Sequence, residues 1–402
     1  MLAPVSIAFL VAAAFSALML LLGVYSARKH HARGRARRLP GAAAELPPIS
    51  LLKPIKGLEE GLADNLASYF EQVYPGELEI VFSAEDLDDP GIAVARAVAA
   101  RYPRVPVRFV ESDPDFGLNP KVANLAGALA AAKHDLVLQS DANTRARPDY
   151  LVRIVSELLE EDASLLSSVV VGVGEDSVGA AFENLHLTAL IGTSTCTALH
   201  VAGVTCVIGK SMLFRKSELA ALGGIRQVRN ILCEDFILGR TYQEAGKRVV
   251  LSTTTIENVN VCIPVERFLS RHSRWLKMRA VIHAGSFVLD LFANPTPWAL
   301  LAVVASGGHP VALLSLALSL AFKYAVDAYL LGIARARALP LRYFALAPLK
   351  DLLIFGTWFY CLFSRSVTWR GRKLRFGKDS ELREDDGVLP LRLARRLLAT
   401  TR

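Results

Sequence analysis

The sequence predicts an α/β protein: a Rossmann-like, mostly parallel sheet with flanking helices, joined to transmembrane helices and an amphipathic interface helix. Three observations carry that expectation. From Ile49 onward, short apolar runs alternate with helical ones in a βαβαβα order, which implies parallel strands with right-handed crossovers. Long apolar segments with dense basic flanks lie on both sides of that region. Carboxylates stand where the strands end, the place at which open α/β sheets take their ligands.

Composition narrows the class. A chain of 402 residues exceeds a typical single domain, so a soluble domain plus further elements is expected. The residues are 52% hydrophobic and mean hydropathy is +0.34, too apolar for an ordinary soluble enzyme. The net charge of +8 does not point to nucleic acid, because the basic residues crowd beside apolar segments at Arg28 to Arg38, Arg335 to Arg342 and Arg365 to Arg375. Such clusters flank spans on the cytoplasmic side, where anionic headgroups attract them. The five cysteines are odd in number and lack CxxC spacing, which argues against a disulfide framework or a zinc site and fits a reducing compartment.

Ile7 to Tyr25 is long enough to cross the hydrocarbon, and positive residues follow it rather than precede it. It is expected to be an uncleaved anchor, residues 1–27, with its N-terminus outside. A basic linker, 28–48, then leads to a cytoplasmic domain over 49–263. There ISLLKPIKG reads as a strand ending in a loop, Leu62 to Gln72 as a helix, and ELEIVFSAED as a strand ending in acids. Gly91 to Arg101 is a helix, VPVRFVE a strand, and Pro120 to Lys133 an alanine-rich helix. KHDLVLQSDANTRARPD then delivers Asp141 to the end of a buried strand, with the amide of Asn143 two residues on. A carboxylate and a second oxygen ligand there suit a hard divalent cation against a diphosphate, although Asp141 alone could equally cap the next turn. No GxGxxG follows the first strand and no GxxxxGK[ST] occurs, which disfavours a dinucleotide enzyme or a P-loop NTPase.

Beyond Asp149 a helix runs to about Glu160, SLLSSVVVGVG reads as a buried strand, and Phe182 to Leu199 as a helix near the membrane. VTCVIGKSMLFRKSELAALGG offers a strand pair and a short helix. Glu234 and Asp235 open another helix, where a pair of acids could simply satisfy the helix dipole. Residues 264–285 form the amphipathic stretch, suited to a bilayer surface, some of whose arginines could equally face a pocket. In the membrane region, 286–364, Phe287 to Ala305 and Val311 to Leu331 read as a hairpin around GGHP. Lys323 and Asp327 sit four apart on one face, to pair or to line a path for a polar headgroup. Tyr343 to Phe363 has basic flanks on both sides and Lys350 and Asp351 inside, so it is expected to be re-entrant or interfacial. The tail, 365–402, ends in LRLARRLLATTR and is expected to be cytoplasmic.

The motifs LLKPIKG, EDLDDP (Glu85 to Pro90), GLNPKVANL (Gly117 to Leu125), SDAN (Ser140 to Asn143), EDF (Glu234 to Phe236) and Arg271-xx-Arg274-Trp275 are weak singly, but their order and spacing are specific. Together the chain resembles the ceramide glucosyltransferase family, glycosyltransferase family 21, from Leu51 to about Trp275, with an echo in SVTWRGRKLRF. The resemblance implies a GT-A-type catalytic domain and an inverting transfer of glucose from UDP-glucose to the primary hydroxyl of ceramide. Three separated aspartates and an (R/Q)xxRW set map onto Asp86, Asp141, Asp235 and Arg271, Arg274, Trp275. Asp86 would bind the uracil, with the backbone around Lys53 and Pro54 packing the base. Asp141, with Asn143, would hold Mg²⁺ or Mn²⁺, and Asp235 would be the catalytic base. Arg271 and Arg274 would contact the diphosphate and Trp275 wall the sugar or acceptor. Lys121 and Asn124 would support the donor pocket, unless Lys121 is a solvated helix residue. Asn143 stands where a common GT-A motif has a second aspartate, which lowers the expected affinity for metal.

The alanine, arginine and leucine content points to a bacterial source, hence an inner-membrane protein. The acceptor could then also be a hopanoid polyol receiving N-acetylglucosamine. A processive polysaccharide synthase would carry QxxRW and more spans, whereas Arg271 stands here. A non-catalytic lipid-binding protein would have no need of the acids.

Overall fold

The computed structural model describes residues 2–37, 45–364, 366–369 and 372–384. Its centre is an eight-stranded sheet. Strand β1 (Ile49–Pro54) is followed by α2 (Leu62–Phe70), α1 being the N-terminal helix Pro4–Ala36; then come β2 (Leu78–Ala84), α3 (Pro90–Ala99), β3 (Val107–Glu111), α4 (Pro120–Ala131) and β4 (Leu136–Ser140). The order 3-2-1-4 is parallel throughout, so the chain winds outward from β1 and then crosses back to place β4 on its other side. That reversal opens a crevice beyond the carboxyl ends of β1 and β4.

The sheet continues through β5 (Thr144–Arg145), α5 (Tyr150–Glu160), β6 (Leu165–Val173), α6 (Val178–His186), α7 (Thr193–Ala202), β7 (Ser211–Arg215), α8 (Lys216–Ala221), α9 (Glu234–Glu244) and β8 (Val249–Val259). Here β7 runs antiparallel to both β4 and β6, while β6 and β8 are parallel, giving a mixed but mostly parallel sheet. The expected strand pair around VTCVIGKSMLFR is the single strand β7. One face of the sheet packs on α2, α3 and α5 through residues such as Leu66, Ile92 and Ile154. The other packs on α4 and α9 through Val122, Leu125 and Leu238. The period-two alternation of β1 sends Ile49 and Leu51 to the first face and Leu52 to the second.

The segment expected to lie near the membrane is a continuous helical run in which a π-helical turn, Leu187–Gly192, joins α6 to α7. It packs under α1 and the later apolar helices: Gly23 of α1 sits so close to Thr193 that a Cβ there would lie 2.9 Å from its methyl. Helix α1 does not end where the basic linker was expected to begin but continues to Ala36. Its polar end is clamped to the α/β domain: Arg37 pairs with Glu160 and Glu161 at 2.7 and 2.8 Å, and His30 Nε2 lies 2.9 Å from the Ser252 carbonyl. The expected linker residues 41–44 and the terminal LRLARRLLATTR lie outside the described residues.

After β8 come α10 (Val265–Ile282), α11 (Ala284–Asp290), α12 (Pro295–Ala305), α13 (Pro310–Ala334), α14 (Leu341–Phe344) and α15 (Ala347–Phe363). Among the described residues, α1 and α13 are long and apolar enough to cross a membrane. The expected first arm of the hairpin, Phe287 to Ala305, is not one helix: α11 and α12 are bent by 60° across Leu291 to Asn294. The cause is local. Asn294 Oδ1 accepts the Thr296 N–H at 2.9 Å and Pro295 occupies the first turn, so a new helix starts there. Helix α10 turns a buried stripe, Phe268, His272 and Leu276, inward against α6 and α15. The tail returns to the domain as β9 (Ser366–Trp369), β10 (Arg372–Phe376) and β11 (Leu382–Glu384), an antiparallel trio.

Candidate active site

Asp141 follows β4 at the crevice. Because Ser140 pairs with Ser211 in the antiparallel β4–β7 ladder, the next residue, Lys210, lies directly across from Asp141, and the Asp141 N–H donates to the Lys210 carbonyl at 3.2 Å. The Lys210 ammonium is then 3.1 Å from Asp141 Oδ2 and donates to Asn143 Oδ1 at 2.9 Å. Lys121, in the first turn of α4, reaches the other oxygen, Oδ1, at 3.1 Å. Burial opposes ionisation of Asp141, but the two ammoniums outweigh it and hold the carboxyl well below the usual range.

Lys121 is the bridge between the two halves of the site. Its Nζ also pairs with Glu234 Oε1 at 2.9 Å and donates to the Gly209 carbonyl at 3.2 Å. Desolvation would lower its pKa, but Asp141, Glu234 and Asp235 together push it above the ordinary lysine value. Asp235, at the start of α9, accepts the Gly209 N–H on Oδ2 at 2.5 Å and the Phe236 N–H on Oδ1 at 2.8 Å. Gly209 is wedged between the two charges: a Cβ there would fall 2.9 Å from Asp235 Oδ2 and 3.0 Å from Lys121 Nζ. A larger residue at that point would have to displace one of the two charged side chains. Asp141 and Asp235, 94 residues apart in the chain, thus share one cluster through Lys121 and Gly209.

Asp86 lies on the same edge, beyond β2. Two strand spacings, about 10 Å, separate the ends of β2 and β4. It is exposed, and its Oδ1 accepts the Asp88 N–H at 2.8 Å in a local turn. The helix cap belongs to Asp89, which accepts the backbone N–H of Gly91 and of Gly57.

Two of the expected donor-pocket residues have buried side chains that serve the fold around the crevice. Lys53 is fully buried on the opposite face of the sheet, since it shares its parity with Ile49 and Leu51 rather than with the cleft. Its ammonium lies 3.4 Å from the Tyr69 ring centre and donates to the Asp141 carbonyl at 2.9 Å and to Thr144 and Ser140 hydroxyls at 3.2 Å. Burial depresses its pKa. Lys53 therefore holds up the Asp141 loop from beneath, and Pro54 ends the strand beside it. Asn124 is likewise buried, its Nδ2 donating to the Ile55 carbonyl at 3.1 Å and its Oδ1 accepting from Ser112. It ties α4 to the ends of β1 and β3.

Arg271 on α10 pairs with Glu183 Oε1 at 2.9 Å and donates to Asn260 Oδ1 at 3.2 Å. It is near enough to Lys210 to depress the lysine's pKa, although burial is the larger cause. Glu183 is completely buried and also faces His272 Nε2 at 3.1 Å. Burial would raise its pKa, but His272 and Arg271 bring it down to about 2. Arg274 and Trp275 are half-buried on the next turn, and the Trp275 ring centre lies 5.4 Å from that of His272.

The loop before Asp235 is held by the returning tail. The Ser380 carbonyl accepts the Leu232 N–H at 3.1 Å, Ser380 Oγ accepts the Cys233 N–H at 3.1 Å, and Arg240 pairs with Asp379 at 2.9 Å. Lys210, Glu183, Gly209 and this strap were not singled out from sequence. Only Gly209-Lys210 gave a signal, a glycine and a basic residue before an apolar run.

A divalent cation can be tested against these groups. Asp141 Oδ2 and Asn143 Oδ1 converge on one point, and the Lys210 ammonium already sits there as a stand-in cation. One carboxylate and one amide oxygen fit Mg²⁺ or Mn²⁺ once Lys210 moves aside, with remaining ligands drawn from phosphate and water. Among the described residues, no cluster of three or more His, Cys, Asp or Glu side chains stands ready for a metal, so the protein's own share of the coordination is small.

The chain is 30% identical over 250 residues to ceramide glucosyltransferase 1 of Caenorhabditis elegans, covering 61% of this chain and 52% of that one. It is 33% identical over 192 residues to a ceramide glucosyltransferase of Komagataella phaffii, covering 42% and 38%. The chain thus spans about half the length, or less, of these relatives. Among solved structures, a mannosyltransferase from Pyrobaculum calidifontis in complex with GDP-Man and Mn²⁺ aligns over 87% of this chain and 99% of that one, with a TM-score of 0.44 and 19% identity. The model of glycosyl transferase family 21 matches residues 10–382, nearly the whole length, and the chain belongs to that family.

Proposed function

We propose that this protein is a membrane-bound inverting glycosyltransferase that moves glucose from UDP-glucose to the primary hydroxyl of ceramide at the cytoplasmic face. The observation that carries the reading is the joining of Asp235 to the Asp141 cluster through Gly209 and Lys121, at the strand-end crevice next to α10. The ceramide glucosyltransferase relatives and the membrane helices support the choice of a lipid acceptor.

In this reading the donor lies across the carboxyl ends of β2, β1 and β4, its uracil toward Asp86 and its diphosphate toward Lys210, Lys121, Arg271 and Arg274. Asp235 accepts the proton of the acceptor hydroxyl while that oxygen attacks the anomeric carbon. The bond from the carbon to the diphosphate oxygen breaks on the opposite face, so the centre inverts and UDP departs with the electron pair. Gly209 fixes one Asp235 oxygen by its N–H, leaving the carboxylate oriented before the acceptor arrives. The basic groups face the charge that grows on the diphosphate. Mg²⁺ or Mn²⁺ held by Asp141 and Asn143 would offset part of that same charge. With the basic cluster after α1 on the cytoplasmic side, the N-terminus is outside.

The test is transfer by purified protein from labelled UDP-glucose to ceramide. Asp235→Asn is expected to lower turnover about 10²–10⁴-fold while UDP-glucose still binds by calorimetry. Undiminished transfer by that variant would remove the base. UDP release from UDP-N-acetylglucosamine only with a hopanoid polyol would overturn the acceptor.

A further inference from the structure

Charged groups are costly inside a membrane and mark function there. Helices α13 and α15 nonetheless bury four of them together: Lys323 pairs with Asp327, and Asp351 with both Lys350 and, at 3.4 Å, Lys323. They adjoin a cavity whose other walls come from the break between α11 and α12, from α10, and from the π-helical turn after α6. A further ion pair, Arg279 with Asp290 at 2.5 Å, closes it.

Two features make this more than a packing defect. His186 and His272 line the cavity, are 2% and 1% exposed, and each keeps an Nδ1 without a hydrogen-bond partner. Their ring centres are 4.2 Å apart, and burial lowers the pKa of both imidazoles, that of His186 well below the ordinary value. Buried unpartnered polar atoms are rare and call for a ligand or water. The π-helical turn, moreover, is a rare geometry that recurs at functional sites, and here it directly follows His186.

Position connects the cavity to the chemistry. At about 100° per residue, His272, Leu276 and Arg279 fall on one side of α10, and Arg271 and Arg274 on another. Trp275 stands between the two sides. The same Glu183 carboxylate binds His272 with one oxygen and Arg271 with the other. The cavity and the diphosphate side of the crevice thus share one helix wall.

We propose that this cavity is the seat of the lipid acceptor's headgroup, and that it selects a neutral headgroup carrying hydroxyl and amide groups. The charges around it are already matched, Lys323, Lys350 and Arg279 against Asp327, Asp351 and Asp290, so an anionic phosphate finds no spare cation. The two buried, unpartnered imidazole Nδ1 atoms instead offer partners to hydroxyl and amide groups. Leu20, Leu276, Phe355 and Trp358 supply apolar walls for the start of the chains. The proposal rests on the ceramide reading above and adds the place and basis of acceptor selection.

The test uses the full chain in phosphatidylcholine nanodiscs with a photoactivatable ceramide bearing its diazirine near the amide. Crosslinks are expected on α10, α15 or the α11–α12 break, competed by unlabelled ceramide and not by phosphatidylglycerol. Ala293→Trp, which fills the cavity from the break between helices, is expected to raise the KM for ceramide at least about tenfold with the KM for UDP-glucose moving less than twofold. Should that variant unfold, Asn294→Leu is read in the same crosslinking assay, with the same loss expected. Equal competition by phosphatidylglycerol, crosslinks confined to other helices, or an unchanged ceramide KM would overturn the proposal. If wild type transfers nothing to ceramide yet the competition pattern holds, the headgroup site stands and the choice of reaction falls.

Discussion

Lys210→Met is the sharpest probe of the crevice. The substitution keeps the stem and removes the ammonium that sits 3.1 Å from Asp141 Oδ2 and 2.9 Å from Asn143 Oδ1. Those are the two oxygens that fit a divalent cation, so a metal bound there would compete with the lysine in the absence of donor. A hydrogen bond to a charged group contributes about 1.5–3 kcal/mol. Asp141 and Lys210 are both about one-fifth exposed, which screens the pair only modestly. Losing the competitor should therefore tighten Mn²⁺ binding about 10–100-fold. Free Mn²⁺ can be followed by electron paramagnetic resonance in a titration of donor-free protein, with Asp141→Asn as the variant that loses the site in either background. The KM for UDP-glucose should rise at the same time, since a positive group facing the diphosphate is gone. Mn²⁺ affinity that stays the same or weakens in Lys210→Met would refute the competition.

Two further outcomes are expected. Gly209→Ala places a methyl 2.9 Å from Asp235 Oδ2 and 3.0 Å from Lys121 Nζ; transfer should fall at least about tenfold while the thermal midpoint moves by only a few degrees, and full activity would show that the Asp235–Gly209 contact is dispensable. Glu183, held at about 2 against an ordinary 4.5, binds fewer protons when folded than when unfolded. Its contribution, up to about 3 kcal/mol, is complete above pH 4.5 and is lost as pH falls toward 2. Thermal scans should show wild type losing its advantage over Glu183→Gln across that window, and parallel curves would contradict it.

Much of the crevice was legible because period and position act locally. An apolar run followed by polar residues located Asp141 at a strand end, and the βαβ alternation placed Asp86 on the same edge. Lys53 shows where such reading stops. Its neighbours identify the strand, but only the parity against Ile49 and Leu51, together with knowledge of which face carries the cleft, reveals that it points away from the ligand side. Lys210 was invisible for a related reason. Nothing near it says that β7 runs antiparallel to β4, and without that register it has no reason to meet Asp141. Glu183 likewise gains meaning only when α6 and α10 pack together. In the membrane region, composition showed apolar segments but not the restart at Asn294 and Pro295, which converts one expected arm into two bent helices.

The clamps between the membrane helices and the catalytic domain decide how such an enzyme meets its acceptor. A domain on a flexible tether would sample many heights above the bilayer and pay an ordering cost at each encounter. Here α1 continues as a single helix into the domain, where Arg37 grips α5 and His30 meets β8. On the other side, Arg335 after α13 is buried against Glu175 at 2.7 Å, just beyond β6. Two apolar helices are therefore tied to one sheet, and its strand-end crevice cannot change height without breaking these ion pairs, of which Arg335–Glu175 is buried. On the proposed function, the acceptor hydroxyl is brought to a site of fixed depth, and the element between is α10, whose Arg271 side faces the crevice and whose His272 side faces the cavity among the apolar helices. If the acceptor is the lipid proposed above, transfer should depend less on movement of the domain than on how far its headgroup can rise along that one helix.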